Sequence, residues 1–166
     1  MFTSSVSRVR SRALFAIGAV VAFTLLGPPQ ITVRAATAGA PGMPAGVVLL
    51  IEGRHHSDHG GLAITGRAET VRAGKRVTTP LTLTKTGADM YAVSRQWEAG
   101  TPWVLVFSAE QAEQGNHGLA EALVKIDGRG AIVGIEHPRG NIVANARVQR
   151  IGEREVAAAL ATLRPR

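Results

Sequence analysis

The chain contains no cysteine. Disulfides, thiolate metal sites, cysteine nucleophiles and a lipid-modified N-terminal cysteine are excluded together, so the fold is held by its core alone. Aromatic residues make up only 4% of the 166 residues, and methionine occurs three times. A platform of stacking rings for nucleic acid and a methionine-rich Cu(I) site both lack material. The formal net charge is +7, but the arginines are scattered rather than run together. No basic stripe marks a nucleic-acid-binding face. No apolar run reaches the roughly 20 residues that a spanning helix needs. The G-x-S-x-G elbow, the phosphate loop and the dinucleotide fingerprint are missing. Glu52, Glu69, Glu98, Glu121 and Glu136 are scattered, and no spacing among them selects a catalytic pair.

What is present starts at the N-terminus. Arg8, Arg10 and Arg12 form a positive region, residues 13–27 are apolar apart from Gly18 and Thr24, and Pro28 and Pro29 end the run. Ala36-Thr37-Ala38 follows as a small-x-small site. Residues 1–38 therefore read as a secretory signal peptide, with an uncleaved anchor as the rival reading. The expected address is periplasmic or secreted, with no stable membrane span once the signal is cleaved. Four of the nineteen Lys and Arg residues and no acid precede Gly39, so cleavage there lowers the formal charge from +7 to +3.

Residues 39–45, rich in Ala, Gly and Pro, read as a flexible leader. Residues 46–52 (GVVLLIE) form a short β-branched run, a buried strand, and 53–61 (GRHHSDHGG) a polar loop. A strand is expected over 62–72. Val77, Thr79, Leu81 and Leu83 then alternate with polar residues and Pro80, which points to a strand at an edge or with a bulge. Residues 89–108 read as a hairpin, with Trp103, Leu105 and Phe107 on one buried face. Residues 110–118 read as a polar loop. A second hairpin is expected where Asp127-Gly128-Arg129-Gly130 joins the alternating residues 120–126 to 131–137. Residues 141–150 fit either a last strand or a lead into a helix. Val156, Leu160 and Leu163 recur at helical spacing, giving a short amphipathic C-terminal helix that Pro165 stops. The reading is all-β: an immunoglobulin-like two-sheet sandwich over 46–150, with a C-terminal helix and tail over 151–166.

Residues 72–108 also carry a pattern. V-R-A-G-K-R-V begins at Val71, P-L-T-L at Pro80, Y-A-V-S-R-Q-W at Tyr91 and W-V-L-V at Trp103. This resembles bacterial secreted immunoglobulin-like domains of the YtkA-like kind. The resemblance implies an exported sandwich without a catalytic centre, in a group some of whose members are linked to copper handling or to assembly of membrane complexes. Residues 119–166 depart from that pattern, and no functional residue carries over by motif.

Chemistry concentrates in one loop. His55, His56 and His59 lie within five residues around Asp58, and His117 and His137 sit at other expected loop edges. Imidazole suits Cu(II) and Zn(II), and a carboxylate completes such sets. His55-x-x-x-His59 lacks the glutamate of a metalloprotease helix, since His56 follows the first histidine. Two functions result. One is a non-enzymatic binding or accessory module for an envelope protein or surface component. The other is a periplasmic Cu(II)- or Zn(II)-binding protein with His55, His56, His59, Asp58 and His117 as ligands.

Overall fold

The computed structural model describes residues 29–37, 43–54, 62–113, 116–138, 141–143 and 146–163, with side-chain detail for all but 111–117 and 141–149. Two β-sheets face each other across one apolar core, the immunoglobulin-like sandwich that the alternating patterns imply. The smaller sheet contains β1 (Gln30–Ala35), β2 (Val47–Arg54), β5 (Thr84–Lys85) and β6 (Met90–Ser94), in the order β1-β2-β6-β5. The larger contains β3 (Ala63–Arg72), β4 (Lys75–Pro80), β7 (Trp103–Glu113), β8 (Asn116–Ile126), β9 (Ile132–Glu136), β10 (Asn141–Val143) and β11 (Ala146–Gln149). Its order is β10-β11-β8-β7-β3-β4, and β9 shares the β11 side of β8. The pairs are antiparallel except β11 with β8. The one helix among the described residues, α1 (Glu153–Thr162), lies against the outer face of the larger sheet.

The core follows the period-two rule. Leu49 and Ile51 of β2, Val93 of β6, Trp103, Leu105 and Phe107 of β7, and Ala120, Ala122 and Val124 of β8 point between the sheets and are buried. Val104 and Val106 point the other way and are buried under Val156, Ala159 and Leu160 of α1. Residues 103–107 are therefore apolar without a break, because both faces of β7 are covered. Gly66 sits opposite Phe107 in the β3–β7 register. A Cβ at Gly66 would lie 2.9 Å from the Phe107 ring, so the ring's position requires glycine there.

Several expectations change. Residues 89–108 are not a hairpin, because β6 and β7 belong to different sheets. The connection crosses from one sheet to the other, and the buried Trp97 fills the core on the way. Residues 77–84 are likewise two strands in two sheets, yet β4 is the edge strand that Pro80 implies: the Leu81 N–H beyond it still donates to the Gly66 carbonyl at 2.8 Å, so the Pro80 nitrogen faces away from β3 and breaks no ladder bond. Beyond it Gln96 bridges Thr82, accepting from its N–H at 2.8 Å and donating to its carbonyl at 2.7 Å. Residues 110–118 are mostly strand, since β7 and β8 pair from Trp103↔Ile126 out to Glu113↔Asn116. The second hairpin is present. Asp127 Oδ1 accepts from the N–H of Arg129 (2.9 Å) and Ala131 (2.8 Å), and the positive φ falls at Gly130. The helix forms where the spacing places it, whereas Pro165 lies outside the described residues.

The sandwich also begins earlier than residue 46. Residues 30–35, read above as the end of the signal, form β1 and pair with β2 from Gln30↔Arg54 to Ala35↔Leu49. Ile31 and Val33 are buried in the core. The alternation of Gln30, Thr32 and Arg34 with Ile31 and Val33 is a strand pattern that the neighbouring apolar run conceals.

Candidate functional site

The histidine loop is the first test. His55, His56, Asp58 and His59 lie outside the described residues. His117 is the second residue of β8, opposite Ala112 at the end of the β7–β8 ladder and next to the connection between the two strands. His137 is exposed just after Glu136, which pairs with Leu123. Along β8 that separates the two histidine positions by about 17–20 Å, so they do not converge. Among the described residues no three His, Cys, Asp or Glu side chains stand together as a donor set. The expected copper or zinc is withdrawn on that ground.

The buried carboxylates are the second. Glu69 and Glu121 are the only buried ionisable side chains among the described residues, at 1% and 5% exposure. Both point to the outer face of the larger sheet. Glu69 lies opposite Val104 and Glu121 opposite Ser108, on either side of β7. Strand geometry separates them by about 16 Å, too far for two carboxylates to share one reacting bond.

Each is instead saturated by the fold. Arg67 Nε donates to Glu69 at 2.8 Å, and Arg76 donates to its other oxygen and to Glu153 in the first turn of α1. Burial by itself raises the Glu69 pKa. The hydrogen bonds from Arg76 and Arg67, with their charges, outweigh it and hold the carboxyl below the ordinary glutamate value. Glu121 accepts from Ser108 Oγ at 2.8 Å and from the Ile151 N–H just before α1. The two carboxylates fasten the approach and first turn of the helix. Gly152, its N-cap, offers no side-chain cap.

An open cleft of about 390 Å³ lies between residues 52–54 of β2 and the 87–90 turn. Its charged groups are in part spent locally, since Arg54 Nε donates to Glu52 at 2.8 Å.

The third candidate is an edge. The Ala36 N–H donates to the Val48 carbonyl at 2.9 Å, which fixes the phase of the β1–β2 ladder. In an antiparallel pair the bonded positions alternate. Gln30, Thr32 and Arg34 therefore turn their backbone groups to β2, and Ile31, Val33 and Ala35 turn theirs away. The β2–β6 pair agrees, because Gly53 donates to Asp89 and thus directs odd-numbered β2 residues to β6. Among the described residues β2 is the only strand beside β1.

Across the core β1 packs on β8 and β7, and the larger sheet runs past it with β9. On that overhang Val133 and Ile135 are the exposed large hydrophobics, at 54% and 36%. Ile135 pairs with core residue Val124 and so faces inward, past the rim of the smaller sheet. Val133 sits at the bulge where the β8–β9 register shifts. Of the other edges, β4 and β5 are guarded, whereas β9 carries neither lysine nor proline. β4 carries Lys75, Arg76 and Pro80, and β5 has two residues, one of them Lys85. β1 has neither lysine nor proline.

Comparison of the chain with protein-family models, with curated proteins and with solved structures finds no match. The resemblance of residues 72–108 thus extends to the two-sheet architecture and no further. No helix among the described residues is long and apolar enough to cross a membrane.

Proposed function

We propose that this chain is an exported, non-enzymatic β-sandwich that acts as a binding or accessory module in the cell envelope. One observation carries the reading. The buried ionisable groups that are described bond toward α1 and its approach, whereas the outward backbone groups of β1 have no partner strand among the described residues and β9 exposes apolar side chains. Such an edge suits recognition of another chain. The arginine-rich N-terminus and the apolar run after it support export.

We also place the end of the export segment before Gln30. Cleavage after Ala38 would remove β1 with Ile31 and Val33, each worth roughly 1.5–3 kcal/mol of burial, and would strip β2 of its partner.

The test is site-specific photo-crosslinking in the native host. A crosslinker at position 34 or 133 should give adducts with an envelope component, and one at position 79 on the guarded β4 edge should not. Fractionation should recover the protein from envelope or medium. Cytoplasmic recovery, or no adduct from any surface position, would contradict the module reading.

A further inference from the structure

Resting on the binding-module reading, we propose that the edge of β1 that no described strand covers takes an extended peptide as a fifth strand of the smaller sheet. Its apolar side chains turn inward over Ile135, and an acidic side chain turns outward beside Arg34.

The backbone supplies the first argument. Ile31, Val33 and Ala35 direct three N–H and three C=O groups away from β2, a ladder one strand long. Residues of an added strand opposite these three point inward, as Ile31 and Val33 do. The inward space is not empty core, because β9 underlies it and presents Ile135. Sheets stack about 10 Å apart and strands about 4.8 Å, so the ledge formed by β9 has room for one strand.

That same ledge excludes a second copy of this chain. If two copies joined β1 to β1, each β1 would lie over its own β8, and the two β9 strands would need the same space. The occupant is therefore a single strand with nothing bulky behind it. The outward positions add charge. Gln30, Thr32 and Arg34 form the outer row of β1, and Arg34 pairs with Leu50, which holds no acid to meet it. An opposite charge directly across strands stabilises the pair.

The experiment uses the full-length, isotope-labelled chain in detergent and a capped octapeptide of alternating valine and threonine with one central glutamate. Titration should slow exchange of the Ile31, Val33 and Ala35 amides at least about tenfold, since they become sheet hydrogen bonds. Replacing the glutamate by lysine should weaken binding about three- to fivefold, and Arg34→Glu should reverse that preference. Ile135→Lys, at an exposed position, should abolish binding, and Thr79→Lys should leave it unchanged. No binding at millimolar peptide, protection elsewhere, prior protection of these amides in the free chain, or a concentration-dependent dimer would each overturn the proposal. Crosslinks confined to other surface positions would overturn it too, yet leave the module reading standing.

Discussion

Glu69 shows how one side chain can look like chemistry and serve structure. A carboxylate at 1% exposure in a sheet invites a catalytic role, but Arg67 and Arg76 occupy both its oxygens. Glu69→Ala is expected to cost about 3 kcal/mol, the lower end for breaking a buried pair, because Arg76 keeps Glu153 as a partner. Chemical denaturation measures it. The pH dependence follows from the depressed pKa. Stability from this group is complete above the unfolded glutamate value and is lost as pH falls through the lower folded value. Glu69→Gln should therefore flatten the acid limb of a stability–pH profile, and an unchanged limb would show that the pair does not set it. At Phe107 the argument is packing. The ring is fully buried against Gly66, so Phe107→Ala should cost about 3–5 kcal/mol. A denaturation midpoint unchanged within error would contradict that placement.

Elements explain what the sequence made legible and what it hid. The α1 stripe of Val156 and Leu160, the β8–β9 hairpin with its Asp-Gly turn, and the buried face of Trp103, Leu105 and Phe107 are all local patterns, and all are present. Pairing partners are not local. Met90–Ser94 and Trp103–Glu113 alternate like two arms of a hairpin, yet only the sandwich decides that they face rather than pair. β1 was hidden for a different reason. Its six residues follow directly on an export-like run, and Ala36-Thr37-Ala38 has the composition of a cleavage site. The open edge was illegible because it depends on register, which no single strand encodes. N-terminal sequencing of protein recovered from the native host is expected to give a start before Gln30. A start at Gly39 would mean that β1 is discarded. For α1, Val156→Asp sets a charge against Val104 and Val106. Loss of the helical circular-dichroism signal with the β signal kept is expected, since helix stability here comes from docking.

The whole molecule is a sandwich of unequal sheets. The larger is closed on its outer face by α1, whose approach and first turn two buried glutamates secure. Its inner face outruns the smaller sheet on the β9 side. That mismatch leaves one flank with apolar side chains and directed backbone groups, while guarded β4 and short β5 bound the opposite side. The central claim is that β1 belongs to the fold and that its outer edge is free. Residue-resolved amide exchange of the full-length chain without added peptide tests both halves at once. The N–H groups of Thr32 and Arg34 should exchange slowly and those of Ile31, Val33 and Ala35 fast, an alternation along one strand. Uniformly fast exchange would mean that β1 is not in the sheet, and uniformly slow exchange that its edge is already covered; either would contradict the account.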